Sequence, residues 1–164
     1  MKVLLAEYAT FHDPGLAPEG AAMLGVLERS FSQIGYEVVT PKKGDFGRDL
    51  ERLAPDCDAG LVIAPDHLLF GFTRILEEYT RNLGCSSLVA AVCADKVRTG
   101  QILGRHGVPV PGGAGSGPRV VKPVHGCGER GVRLTEEPPG EDEFAQRYIE
   151  GEHLSASLVG SMNV

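Results

Sequence analysis

Two lysines stand at positions where a lone lysine needs a reason. Lys122 interrupts the apolar, β-like run Val120-Val121-Lys122-Pro123-Val124, and Lys96 follows Asp95 at the start of a helical stretch. A strand lysine is ordinarily a solvated, outward side chain. A cation at a helix N-terminus is electrostatically disfavoured, and an anion nearby offsets that cost. Just beyond Lys122, Gly126-Cys127-Gly128-Glu129-Arg130-Gly131 satisfies G-x-G-x-x-G. As a dinucleotide fingerprint the pattern requires a helix after it to receive a pyrophosphate. Val132-Arg133-Leu134 is strand-like instead, and Pro138-Pro139 leaves no room for a long helix. The spacing therefore predicts a β-hairpin tip. Such a tip can still close over a triphosphate, because glycines let backbone N–H groups approach the oxygens with no side chain between. A compact ammonium at Lys122 would meet the same oxygens. No G-x-x-x-x-G-K-[ST] run occurs, so a Walker-type site is excluded.

Other reactive residue types carry less. Cys57, Cys85, Cys93 and Cys127 fit neither a zinc knuckle nor a C-x-x-C pair, and they read as small, mostly buried thiols. The histidines at 12, 67, 106, 125 and 153 show no metal-ligand spacing. Glu7 and Tyr8 close the first apolar run, at the strand end where open α/β sheets receive ligands. Loop capping and substrate contact both suit them.

These groups must be carried by a mixed architecture. Strands are expected at KVLLAEY, Tyr36–Thr40, Gly60–Ala64 and Leu88–Val92, the last two continuously apolar as in a doubly covered parallel sheet. Helices are expected over 19–34 (Met23, Leu24, Leu27, Phe31 and Ile34 on one face, Gly35 as stop), near 49–53, and from Phe72 to Leu83, closed by Gly84. After Asp95 the pattern changes. A helix from Lys96 to His106 ends at Gly107, and the connector VPVPGGAGSGP leads to RVVKPV and GVRL, spaced as a hairpin with a long loop. A helical turn is expected at Glu141–Phe144, then a turn and a strand within QRYIEGEHLSASLV. The reading is α/β: a Rossmann-like unit with a parallel sheet over 1–94, then a partial α+β unit.

Composition bounds the partners. The 164 residues include 22 acidic and 16 basic side chains, a formal charge of −6, with no basic run beyond Lys42-Lys43. An acidic surface repels phosphate backbones, so nucleic acid is disfavoured and any bound phosphate needs a local site. No apolar stretch reaches the length of a membrane span and the first residues lack a signal-peptide pattern, so a cytoplasmic protein is expected.

Three segments, ADKVRTGQILGRHGVPVP, RVVKPVHGCGERGV and QRYIEGEHLSASL, occur in the order found in the ATP-grasp superfamily of carboxylate-amine ligases, which nearly the whole chain resembles. Within that superfamily KVLLAEYAT, PEGAAMLGVL and NLGCSSL are similar to archaeal tyramine-glutamate ligases of methanofuran biosynthesis. The resemblance implies a pre-ATP-grasp domain over 1–94, an ATP-grasp N-terminal subdomain with a glycine lid over 95–145, and a hinge with an incomplete C-terminal subdomain over 146–164. It implies that Lys96 and Lys122 contact the phosphates of ATP, and that Gly126, Gly128 and Gly131 belong to the lid. Gln146, Arg147, Tyr148 and Ile149 would form the adenine hinge, and His153 would stand near the ribose, with Glu152 as the alternative. A small carboxylate and an amine would be the substrates.

The family's magnesium ligands come from strands far downstream of the hinge, and Glu152 is the only carboxylate side chain after Gly151. Mg2+ is thus a family expectation without ligands here, and the resemblance implies a C-terminally truncated ligase. A second polypeptide completing the fold, or self-association through an open β edge, would follow. The alternative is a catalytically inactive remnant or a nucleotide- or partner-binding module.

Overall fold

The computed structural model describes all residues except 114, 116, 127–129, 153 and 157–164. Its first half is a four-stranded parallel sheet of order β2-β1-β3-β4. The strands are β1 (Lys2–Glu7), β2 (Glu37–Val39), β3 (Ala59–Ile63) and β4 (Arg81–Asn82). β1 lies in the middle and is covered on both sides, which explains its unbroken apolar sequence. Alternation splits its side chains. Val3 and Leu5 pack with Leu24, Leu27 and Phe31 of α2 (Ala17–Gln33). Leu4 and Ala6 pack on the other face with Phe46 and Leu50 of α3 (Phe46–Leu53) and with Leu76 of α4 (Asp66–Tyr79). Leu4, Leu5, Leu50 and Leu76 are fully buried, each contributing about 1.5–3 kcal/mol by its removal from water. Between β1 and α2 lies the short helix α1 (Ala9–His12).

The chain runs from β1 through α2 to β2 on one side, then to β3 on the other. The order reverses between β1 and β3, so a crevice opens beyond their C-terminal ends. Glu7 ends one strand, and Ala64 and Pro65 follow the other.

The second half is built on a three-stranded antiparallel sheet of order β6-β5-β7. β5 (Arg119–Pro123) is central, with β6 (Arg133–Thr135) and β7 (Glu143–Arg147) beside it. The hairpin expected from RVVKPV and GVRL is present, Val120 opposite Leu134 and Val121 opposite Arg133. Helix α6 (Lys96–Arg105) precedes the sheet, and its start is joined to it where the Lys96 N–H donates to the Val124 carbonyl at 3.2 Å. The Gly35 and Gly107 stops hold, both in the left-handed region with φ of 82° and 75°.

Several expectations are corrected. LVAAV is not a buried strand; it lies in helix α5 (Ser87–Cys93), with Leu88 71% exposed. Ser86 caps this helix by accepting from the Val89 N–H, and the Glu77 carboxylate accepts from Ser87 N–H and Oγ–H. Capping therefore overrides the β propensity of a short Val-rich run. The fourth strand is instead Arg81–Asn82, and α4 begins at Asp66 rather than Phe72 and ends before Leu83. Glu141–Phe144 does not form a helical turn; β7 begins at Glu143 and takes Gln146 and Arg147 into the sheet. The strand expected later in that segment falls largely outside the described residues, and Leu154–Ala156 lie in no regular element. Cys57 is buried, but Cys85 and Cys93 are exposed, against the expectation of mostly buried thiols.

Candidate functional site

Lys96 is set at the first position of α6 by the Asp95 cap, whose carboxylate accepts from the Arg98 N–H at 2.8 Å. Its ammonium donates to the Gly126 carbonyl at the tip of the hairpin and pairs with Asp66 Oδ2 at 3.9 Å. The cation at this helix start is thus offset by a carboxylate from α4 and a loop carbonyl.

Lys122 sits in β5 directly opposite Phe144 of β7, with its ammonium 5.3 Å from the ring centroid. Burial pushes the Lys122 ammonium below its usual range, and the charge of Lys96 pushes it the same way. The Lys96 charge, itself held at Gly126, thus acts on Lys122 from a different element. An anion beside Lys122 would relieve that cost. Alternation places Val120 and Gln146 on the same sheet face as Lys122 and Phe144.

An open cavity of about 440 Å³ adjoins this face. Lys96 and Gln101 of α6, Val110 and Gly112 of the connector, and Phe144 and Gln146 of β7 line it. Lys96, Gln101 and Gln146 supply polar groups among otherwise apolar walls, a combination suited to a ligand with an anionic end and a flat, partly apolar body.

The residues expected at the hinge follow at the end of β7. The Arg147 and Tyr148 N–H groups are engaged, donating to the Gly112 and Pro118 carbonyls at 3.0 and 3.4 Å. Tyr148 and Ile149 are 45% and 58% exposed, so they offer apolar surface rather than core. Gly126 and Gly131 adopt φ of 116° and 76°, conformations that favour glycine. Gly128 and His153 lie outside the described residues.

Glu7 and Tyr8 lie elsewhere, at the crevice between β1 and β3. The Glu7 side chain is buried and accepts from the Ala9 N–H at 2.9 Å, the Thr10 N–H at 2.7 Å and the Thr10 hydroxyl. Its carboxylate thus caps α1, and it also lines a cavity of about 130 Å³ with Leu16, Gly20, Met23 and Ile63. Tyr8 stacks on His12 at 4.8 Å and meets Phe46 and Phe72 edge-on and face-on, which makes it part of an aromatic cluster.

Sequence reasoning missed Asp66, whose position just after β3 was the available signal, and Arg130, which lay inside a motif read for its glycines, while His125 was weighed only as a metal ligand. Among the described residues, no group of three or more His, Cys, Asp or Glu side chains could hold a metal ion. Among these residues, too, no helix is long and apolar enough to cross a membrane.

A parallel α/β unit followed by an antiparallel sheet with its glycine-rich hairpin defines the class of fold, and comparison with known proteins gives the family. Residues 26–91 match the pre ATP-grasp 3 domain and residues 93–164 the ATP-grasp domain. The chain belongs to the ATP-grasp superfamily. It is 30% identical over 175 residues to a D-alanine–D-alanine ligase of Caulobacter sp. (strain K31), covering 88% of this chain and 52% of that one.

Among solved structures, it is similar to a protein from Archaeoglobus fulgidus assigned to the ATP-grasp superfamily. The TM-score is 0.78 and the identity 30%, over 92% of this chain and 54% of the other. The biotin carboxylase domain of Hydrogenobacter thermophilus 2-oxoglutarate carboxylase, solved with MgADP, ADP and bicarbonate, shares the fold. There the TM-score is 0.60 and the identity 20%, over 81% of this chain and 37% of that one. The chain spans about half the length of the ligase and of the Archaeoglobus protein.

Proposed function

We propose that this chain provides the nucleotide-binding and part of the substrate-binding machinery of an ATP-dependent carboxylate-amine ligase. The observation that carries the reading is the convergence of Lys96 and Lys122 beside Gly126, next to the cavity of Phe144 and Gln146. The triphosphate lies between the two ammonium groups and the adenine in the apolar part of the cavity, near the backbone of Gln146 to Ile149. The units over 1–94, 95–145 and 146–164 then act as substrate platform, phosphate cradle and hinge.

In the reaction, a carboxylate oxygen of the acid attacks the γ-phosphorus, the bond to the β,γ-bridging oxygen breaks, and ADP leaves with that electron pair. The amine then attacks the acyl carbon of the acyl phosphate, inorganic phosphate leaves, and the amide nitrogen gives up a proton. The lysines hold the charge on the transferring group, and the glycine-rich hairpin excludes water from the acyl phosphate. The cavity at Glu7 takes a substrate. Glutamate with tyramine, from the sequence resemblance, and D-alanine with itself, after the Caulobacter relative, are the pairs to test.

Lysine footprinting tests the site directly. ATP should protect Lys96 and Lys122 from acetylation while leaving Lys42 and Lys43 as reactive as before. Equal modification of all four with and without ATP would overturn the reading.

A further inference from the structure

A second cavity, of about 250 Å³, lies where three loops meet. Asp13 and Leu16 come from the loop after α1, Pro65 and His67 from the start of α4, and His125 and Arg130 from the hairpin between β5 and β6. Gly126 and Asp66, the two groups that engage the Lys96 ammonium, also line it. It shares Leu16 and Pro65 with the cavity at Glu7, so it lies between that cavity and the lysines.

The acids on its wall are committed. Asp13 Oδ1 accepts from the Gly15 and Leu16 N–H groups at 2.9 and 3.3 Å, and Asp66 pairs with Lys96. Arg130 is exposed and makes no ion pair or hydrogen bond among the described residues, and its guanidinium reaches the loop after α1: a Cβ built on Gly15 would stand 3.5 Å from its Nη2. The His125 Nδ1 lies 3.0 Å from the Ala94 carbonyl, an arrangement in which Nδ1–H donates and fixes the ring against the end of α5. The wall thus offers a planar fork of N–H donors with full charge, two imidazoles, and no uncommitted carboxylate.

We infer that this cavity is a carboxylate-binding site in which Arg130 grips the acid substrate through paired N–H donors. The inference rests on the ligase reading for the identity of that carboxylate as substrate, and adds to it a specific residue, Arg130, and a location next to Lys96. The cavity wall includes Asp66 and Gly126, the partners of the ammonium that would meet the phosphates.

The test is an NMR titration of the 164-residue chain with sodium propionate and, as the uncharged isostere, propionamide. Propionate should shift the Arg130 Nε–H and the His67 and His125 ring signals saturably, and propionamide should not. Arg130→Ala should weaken propionate at least tenfold and Arg130→Lys by less, with unliganded melting temperatures unchanged. An equal response to both probes, shifts that never saturate, or wild-type affinity in Arg130→Ala would overturn the inference. ATP binding, followed separately by melting temperature, keeps the two readings apart. Loss of the propionate response with ATP binding intact refutes the Arg130 site alone. A propionate response without ATP binding supports the Arg130 site and refutes the nucleotide reading.

Discussion

The ammonium of Lys122 stands 5.3 Å from the centroid of the Phe144 ring, its directly opposed neighbour across β5 and β7. The ring holds the cation against the sheet and removes water from one side of it. The positive charge is therefore kept where it is costly, close to that of Lys96.

Lys122 titrates below its ordinary value of 10.5 because of burial first and Lys96 second. Between the lowered folded value and 10.5 the unfolded chain binds more protons, so stability should rise with pH through that window. Below the folded value the cost of the charged form is present in full. Polyphosphate should bind with proton uptake above the folded value, where the free lysine is partly neutral, and its affinity should fall as the ammonium is lost. Melting curves from pH 7 to pH 11 check both signs; Lys122→Ala should lose both dependences.

Gly20 of α2 faces the buried Glu7 carboxylate so closely that a Cβ would lie 2.6 Å from Oε2. Gly20→Ala must displace a group that caps α1 through three hydrogen bonds, and should cost about 1–3 kcal/mol. Urea unfolding measures it, and a neutral result would mean that the carboxylate moves freely.

Glu143 accepts from both terminal nitrogens of Arg133 and from the Gly140 N–H, and the Arg133 guanidinium with the Gly140 bond lowers its pKa to about 2. The folded value lies below the ordinary one of 4.5. The stabilising contribution of this clamp across β5 is thus present above pH 4.5 and lost as pH falls towards 2. The carboxyl shift of Glu143 followed by NMR should titrate near 2, and should return to the ordinary range in Arg133→Ala.

Leu50 is fully buried between α3 and the sheet, whereas Leu88 on α5 is 71% exposed. Leu50→Ala should lose about 2–5 kcal/mol. Leu88→Ala should change stability by less than about 0.5 kcal/mol. Comparable losses at both positions would show that α5 is packed as the buried strand its sequence suggests.

That contrast marks where the sequence was legible. β1, α2 and the β5–β6 hairpin could be read because burial wrote a period into them, as in Leu24, Leu27 and Phe31 of α2. LVAAV could not, since five apolar residues carry no period and the deciding contact, Glu77 with Ser87, spans two helices. Lys96 and Lys122 could be singled out by residue type, but the partners that place them, Asp66 and Phe144, lie on elements distant in sequence. Arg130 was overlooked for a related reason: a loop motif draws attention to its glycines, while the cavity beside it exists only once three loops are assembled.

The most direct measurement is the calorimetric titration of ATP into the wild-type chain and into Lys96→Ala and Lys122→Ala. A shared phosphate site predicts saturable binding at one site, weakened at least tenfold by either substitution, with the losses less than additive in the double variant. Affinity untouched by both substitutions, or no binding to the wild-type chain, would contradict it.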